Sequence, residues 1–324
     1  MNKISIALCT YNGERYLAQQ LDSFIYQERQ PDEIVVCDDR SADQSFEIIK
    51  SFSRNAPFKV KYYLNEKRLG TAKNFEKAIN LCTGNLIALS DQDDVWHSKK
   101  IEQYEKTFNN RPDVGILFSN AEIVDSSLIP LGYDMFDNVN FCTKEQKHLI
   151  NNNALAVLLK HYIVTGATMC FRSDFKPAVL PIPSCWFHDT WIAIVIASIS
   201  NMTFIREPMI KYRQHSGNQI GGIKTEFIKQ LSKALQVNRE NYYKTEIHKY
   251  RLVLDRLSDI ADSRILPKKN VLLFKDKLNH LQIRASMKKN RFLRLPAIIS
   301  ELLKLRYQRY ARNWGSIALD LLIK

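Results

Sequence analysis

The chain has 324 residues, 45% of them hydrophobic and 25% charged, with 10 Gly and 10 Pro. These values exclude a disordered, collagen-like or low-complexity protein, and the length suits two domains with cores of their own. The formal charge is +13, from 47 Lys+Arg against 34 Asp+Glu, which points to an anionic partner of unspecified kind. Residues 1–224 hold 25 basic and 25 acidic side chains, whereas 225–324 hold 22 and 9. The whole excess sits in the last hundred residues, so two modules are expected, 1–224 and a basic α-helical region over 225–324.

In chain order, β-rich runs at Ile4–Thr10, Glu33–Asp38, Lys59–Leu64, Leu86–Ser90 and Val114–Asn120 alternate with helical patterns. The helical segments carry apolar residues at Leu17, Leu21, Phe24 and Ile25, then Phe46, Ile49 and Phe52, then Phe75, Ala78, Ile79 and Cys82. This alternation implies βαβ units and a mostly parallel α/β sheet flanked by helices. Ile163–Phe171 reads as a further strand, the run from His188 to Ser200 as a helix, and the stretch from Tyr212 to Asn218 as a polar loop. Beyond it the pattern turns helical and basic, with Pro267 and Pro296 as breaks. The longest apolar run, Trp191 to Ile199, falls far short of the roughly 18 residues a membrane span needs. The N-terminal apolar run is too short for a signal peptide. Six cysteines occur without a C-x-x-C pair, and Cys9, Cys37 and Cys170 lie in apolar runs, as expected of reduced, buried thiols. A cytoplasmic protein is expected, at most peripheral to the inner face of the cell membrane.

Open α/β sheets bind ligands beyond the carboxyl ends of their strands, and those ends are polar here. The fourth run ends in Asp91-Gln92-Asp93-Asp94. Alternating carboxylates on a turn suit a divalent cation, Mg²⁺ or Mn²⁺, that bridges a diphosphate. The plainer reading is a solvated turn in which Asp94 caps the next helix. The second run ends in Asp38-Asp39-Arg40-Ser41, where one carboxylate suits the N–H of a pyrimidine ring and Ser41-x-x-Gln44 reads as a capping box. The first ends in Thr10-Tyr11-Asn12-Gly13-Glu14, suited to stacking on and hydrogen-bonding a base or ribose. Arg68 to Asn74, with Lys73, forms a basic loop that opens a helix. Asp189 heads an apolar helix, either as an N-cap or as a general base for a hydroxyl. Arg213 and His215 offer a diphosphate contact and a third metal ligand.

Taken in order, ISIALCTYN at 4–12, EIVVCDDRSAD at 33–43, 69–74, LIALSDQDDVW at 86–96, 164–171, His188-Asp189 and 212–215 resemble the family 2 glycosyltransferases of the GT-A fold. The resemblance covers about residues 1–220 and stops at the charge boundary. It implies a nucleotide-sugar-dependent catalytic domain over 1–224, with Thr10, Tyr11, Asn12, Glu14, Asp39, Lys73, Asn74, Asp91 and Arg213 on the donor. It further implies that Asp39 reads the pyrimidine, that Asp91 and Asp93 with His215 hold a divalent cation, and that Asp189 is the base of an inverting displacement. Arg40 stands where glycine is usual, and His188 where glutamate is usual. The style of the sequence is similar to bacterial rhamnosyltransferases of surface polysaccharide synthesis, which implies a dTDP- or UDP-sugar donor and a saccharide or lipid-diphosphate-linked acceptor.

Two other function classes share some of these features. Asp91-Gln92-Asp93-x-Val95 also fits the nucleophile motif of haloacid-dehalogenase-type phosphatases, but that motif belongs on a first strand. The basic tail suggests a nucleic-acid binder, yet no RNA-recognition or helix-turn-helix signature occurs, and no nucleic-acid partner is expected. The tail is instead expected to rest on an anionic membrane surface, a homodimer contact being the other option.

Overall fold

The computed structural model describes residues 2–215, 238–260, 266–288 and 290–322. It divides into two compact units, Met1–Asn152 with Val164–Gly222, and Asn153–Ile163 with Ile223–Lys324. Composition placed a single boundary near 224; it carries no mark of the short excursion at 153–163 into the helical unit, because so short a segment shifts no regional charge balance.

The first unit opens with three strand–helix repeats: β1 (Ile4–Thr10), α1 (Glu14–Ile25), β2 (Glu33–Asp38), α2 (Ser45–Asn55), β3 (Lys59–Leu64) and α3 (Thr71–Leu81). β4 (Leu86–Ser90), β5 (Val95–Trp96), α4 (Lys100–Asn110), β6 (Val114–Val124) and β7 (Pro130–Asp134) follow. After α5 (Met135–Asn138) and α6 (Thr143–Ile150), the chain passes through α7 (Ala154–Leu158) of the second unit. It returns for β8 (Met169–Arg172), α8 (Lys176–Val179), α9 (His188–Ile199) and β9 (Asn201–Arg213).

The sheet runs in the order β3-β2-β1-β4-β8-β6-β9-β5, with β7 on β6. β3, β2, β1 and β4 are mutually parallel, β6 and β9 are parallel, and β8 runs antiparallel to both β4 and β6. The strand order turns back on itself between β1 and β4, the crevice where such sheets receive ligands. Both faces of the sheet are covered, so β1 and β2 are buried along almost their whole length and read as continuous apolar runs. Leu17, Leu21 and Phe24 of α1 pack with Ile4, Ile6, Leu8, Ile34 and Val36. α9 is apolar all round because it is buried all round.

Three expectations need correction. The strand expected at Ile163–Phe171 begins only at Met169, since Gly166–Thr168 form a 3-10 turn closed by the Thr168 N–H on the Thr165 carbonyl. Ser41 caps no helix: α2 starts at Ser45, and the Ser41 hydroxyl donates to Asp38. Tyr212 and Arg213 end a 13-residue strand rather than opening a loop. Pro208 disguised β9 in the sequence, and the register against β6 slips at that point, from Ser119↔Ile205 to Asn120↔Pro208. Such a bulge is where a sheet tolerates a residue without an N–H.

The second unit is helical: α10 (Arg239–Asp259), α11 (Lys268–Ser286), α12 (Leu295–Leu303), α13 (Arg306–Tyr310) and α14 (Asn313–Leu322) follow α7. Pro267 and Pro296 do break the pattern, and each sits at a helix start, where a missing N–H costs nothing. Ile298, Tyr307, Ala311 and Ile317 form a core. Two buried acids organise this basic unit. Asp320 accepts from Tyr243 Oη (2.8 Å), Arg284 Nε (2.6 Å) and Tyr307 Oη (2.7 Å), while Glu301 pairs with His280 Nδ1 (2.7 Å) and Arg306 Nη1 (3.0 Å). No described helix is long and apolar enough to cross a membrane. Cys37 and Cys170 are buried and reduced as expected, and Cys9 is half-buried.

Candidate active site

At the switch point the end of β1 is tied to the end of β4. The Tyr11 N–H donates to Gln92 Oε1 (2.8 Å) and Gln92 Nε2 donates back to the Tyr11 carbonyl (3.1 Å). Gly13 leaves room for this pair, since a Cβ there would lie 2.2 Å from Gln92 Oε1. Sequence reading passed over Gln92 as a spacer between two carboxylates. Thr10 Oγ1 donates to Asp38 Oδ2 (2.6 Å), and Asp38 also takes the Ser41 N–H, so this first acid of its pair shapes the turn. Asn12 adopts the left-handed conformation (φ 49°) that Asn tolerates, with its Oδ1 accepting the Ala42 N–H. Arg40 does the same (φ 65°) where glycine would be easier, and its guanidinium donates to the Glu66 carbonyl.

Asp39 is buried and accepts three hydrogen bonds: Leu69 N–H (2.6 Å) and Asn65 Nδ2 (3.0 Å) on Oδ1, and Gly70 N–H (2.8 Å) on Oδ2. It therefore folds the 65–70 loop against the end of β2. Asn74 joins the same network through Asn65 Nδ2 (2.8 Å) and the Cys37 carbonyl (2.7 Å). Arg68, on that loop, stacks on the Tyr11 ring at 3.9 Å. Two residues expected at the donor are engaged elsewhere. Glu14 accepts from the Gln44 N–H (2.9 Å) at the start of α2, and Lys73 pairs with Glu76 (2.7 Å).

The acidic cluster lies beyond β4. Burial, then the nearby charges of Asp93 and Asp189, push the Asp91 carboxyl well above its usual range, with Lys100 opposing. Asp93 Oδ2 lies 2.9 Å from His215 Nε2. Asp94 is not a helix cap: it is fully buried, Oδ1 accepts the Arg213 N–H (3.0 Å), and Oδ2 has no hydrogen-bond partner among the described residues. Arg213 was expected on the donor, but its side chain is turned inward as a brace. Nε donates to the Asp93 carbonyl (2.7 Å), Nη1 to the Ser126 carbonyl (2.7 Å) and Nη2 to Gln19 Oε1 (2.6 Å). Lys100 was missed altogether. It is buried, donates to the Ala167 carbonyl (2.8 Å) and lies 3.4 Å from the Trp96 ring centre. Its position one helical turn from Tyr104 and two from Phe108, both buried, was the available signal.

Asp189 lies in the first turn of α9, whose N-cap is Phe187, so it is not the cap either. Oδ1 accepts the Thr190 N–H (2.6 Å) and hydroxyl (3.2 Å), and Oδ2 accepts the Gly166 N–H (3.1 Å). Of roughly four lone-pair positions on a carboxylate, one on Oδ2 is left for an incoming hydroxyl. His188 is buried and stacked on Phe75 (3.9 Å, 12° between planes), and burial lowers its proton affinity, so it backs the turn as a neutral ring.

A cation fits this donor set. The cluster gathers carboxylates whose charges raise one another, with one orphaned buried oxygen and an imidazole on Asp93. Among the described residues no group of three or more His, Cys, Asp or Glu is arranged to hold a metal by itself. Mg²⁺-type sites commonly take one or two carboxylates and complete the shell with substrate phosphate and water.

Residues 5–176 match the family model described as Glycosyl transferase family 2, a span that includes Asp39, Asp91 and Asp93 and stops before Asp189. An uncharacterised glycosyltransferase of Nostoc sp. is 27% identical over 227 residues, 67% of this chain and 66% of its own length. The dTDP-rhamnosyl transferase RfbG of Shigella flexneri is 26% identical over 259 residues, 75% of this chain and 82% of its own. Among solved structures, S. aureus TarS 1–349 in complex with UDP-GlcNAc superposes with a TM-score of 0.59 at 16% identity, covering 99% of this chain and 84% of that one. The likeness to TarS bears on the fold: a mixed, mostly parallel sheet flanked by helices, of GT-A type.

Proposed function

As the chain belongs to glycosyl transferase family 2, we propose that it moves a sugar, with inversion, from a nucleotide-diphospho-sugar to a hydroxyl of a saccharide or lipid-linked saccharide acceptor. The observation that carries this reading is that Asp93 and Asp189 both lie within electrostatic reach of the buried Asp91 at the sheet's switch point. Similarity to RfbG, named as a dTDP-rhamnosyl transferase, favours a dTDP-sugar, with dTDP-rhamnose first to be tried and UDP-sugars next.

Asp39, with the loop it holds, faces the base, and Tyr11 and Asn12 provide stacking and polar contact to base or ribose. Asp91, Asp93 and His215 would hold a Mg²⁺ or Mn²⁺ ion, which when bound neutralises the diphosphate leaving group. Gly166 and Thr190 fix the Asp189 carboxylate by three hydrogen bonds. Its remaining Oδ2 position accepts the proton of the acceptor hydroxyl as that oxygen attacks the anomeric carbon from the face opposite the diphosphate. Arg213 acts through Asp93 and Asp94 by holding the turn that carries them. Asp189→Asn is expected to lower transfer by about 10³-fold or more, with nucleoside diphosphate affinity measured by calorimetry unchanged. Full transfer by that variant overturns the assignment of the base.

The same reading gives the tail an anionic lipid surface as its partner. Leu295, Ile299 and Leu303 recur every fourth residue on α12, and with Phe292 they form an exposed apolar stripe; Phe292 and Leu303 are each 81% exposed. Exposed Lys288, Arg291 and Lys304 flank it. Each basic residue near such a surface contributes ~1 kcal/mol of attraction, and the apolar stripe supplies insertion.

A further inference from the structure

The helical unit encloses a cavity of about 370 Å³ between α10, α11, α13 and α14, with Lys160, His161 and Tyr162 on one wall. This is the volume of a small-molecule site. Among the described residues that line it, charge is unbalanced. Lys160, Arg239, Lys277, Arg284 and Arg312 line it, against Glu246 and Asp320. Both acids are already committed: Glu246 pairs with Lys249 (3.0 Å), and Asp320 takes Arg284 and two tyrosine hydroxyls.

Two deeply placed basic groups take their hydrogen bonds from backbone carbonyls and have at most a distant share of an acid already engaged elsewhere. The Arg239 side chain is only 9% exposed. Its terminal nitrogens donate to the backbone carbonyls of Met287 and Arg284, Asp320 Oδ1 is 4.0 Å away, and its buried Nε has no hydrogen-bond partner among the described residues. Lys277 Nζ is buried and donates to the Tyr310 carbonyl (2.7 Å). Burial pushes this amine down to about 7, with Glu246 opposing and Arg284 assisting. Buried cations that must share a counter-charge with other groups are costly. Here they line the cavity together with the rings of Tyr242, Tyr243 and Tyr250. A flat aromatic wall beside guanidinium and ammonium groups suits an anion that carries a carbon body, and guanidinium matches phosphate oxygens in a forked geometry.

We propose that this cavity binds the phosphoryl group of a phosphate monoester or diphosphate through Arg239 and Lys277, with exposed Arg312 assisting. The site is built from residues of the second unit alone and does not rest on the reading of Asp91, Asp93 and Asp189. The ligand is either a soluble phosphate ester or the headgroup of a lipid diphosphate, and the two sources share this chemistry.

The test is calorimetric titration of the full chain, in EDTA, with inorganic pyrophosphate and with farnesyl diphosphate. Both probes are expected to bind, more weakly at high salt. Arg239→Gln combined with Lys277→Met is expected to weaken each by about tenfold or more, the loss of two charge-assisted contacts. Arg312→Glu, at an exposed position that folding does not need, is expected to weaken them several-fold and serves if the double variant fails to fold. Asp91→Asn is expected to change nothing. Preference for farnesyl diphosphate assigns the site to a lipid headgroup, and equal affinity assigns it to a soluble ester; both sustain the proposal. It is overturned if neither probe binds at millimolar concentration, if Arg312→Glu and the double variant leave binding intact, or if binding disappears in Asp91→Asn.

Discussion

Gly166 shows how narrowly the Asp189 carboxylate is held. Its N–H donates to Asp189 Oδ2, and a Cβ at this position would lie 2.6 Å from His188 Nε2. His188 has little room to yield, because its ring is stacked on Phe75. Gly166→Ala is therefore expected to destabilise the protein by about 1–3 kcal/mol, the usual cost of overpacking. It should also lower kcat by about tenfold or more, because small displacements of a positioned group are expensive. Donor KM should stay close to that of the parent, and steady-state kinetics together with chemical denaturation check both statements. The departure from glutamate at His188 also acquires a physical reading: a neutral aromatic ring fits between Phe75 and Gly166 where a carboxylate would be buried.

At the scale of elements, the amino ends of the strands are knotted around Glu33. Its carboxylate accepts from Ser5 Oγ, the Thr83 N–H and Thr83 Oγ1, and it pairs with Lys61 at 2.6 Å, joining β1, β2, β3 and the loop before β4. Burial alone would raise this carboxyl, but these hydrogen bonds outweigh it and hold Glu33 at about 2, below its ordinary 4.5. A depressed carboxyl contributes stability above its unfolded value and loses it as pH falls through the folded one. Stability should therefore decline between about pH 4.5 and 2. Glu33→Gln should flatten that decline and cost about 1–3 kcal/mol at neutral pH. Urea unfolding at several pH values measures both. The apolar stripe of α12 makes a second prediction. Ile299→Asp with Leu303→Asp should abolish sedimentation with anionic vesicles at low salt without altering the circular dichroism spectrum, because both side chains are exposed. Retained sedimentation would remove the membrane reading.

At the scale of the whole molecule, the charge of +13 is a property of one region rather than of the protein. Its neutral part carries the acids that would face a donor, and its basic part is built on two buried acids, Glu301, which takes His280 and Arg306, and Asp320, which takes Arg284 and two tyrosine hydroxyls. A ligand that binds only the folded state stabilises it by about 2.7 kcal/mol at a hundredfold excess over Kd. A dTDP- or UDP-sugar with Mn²⁺ is therefore expected to raise the melting temperature by several degrees, and EDTA to remove most of that rise. An equal rise in EDTA would sink the role given to Asp91, Asp93 and His215.

Much of the architecture was legible in the residues themselves. The alternation of β1 to β4 with α1 to α3 follows from apolar periodicity, and periodicity is local, so each element announces itself within a dozen residues. The acids at strand ends were legible for the same reason, since a polar cluster that terminates an apolar run marks the ligand edge of an α/β sheet. What the side chains there are bonded to was decided by tertiary structure alone. Arg213 and Asp94 meet across 119 positions, Gln92 and Tyr11 across 81, and Lys100 and Ala167 across 67. No local pattern reports a partner that distant, so Arg213 looked like a donor contact and Gln92 like a spacer. β9 was hidden by Pro208 until its bulge against β6 gave the proline a place. Sequence determined which elements form and where the acids gather; the long-range hydrogen bonds decided which groups are spent holding the site together and which are left to face a ligand.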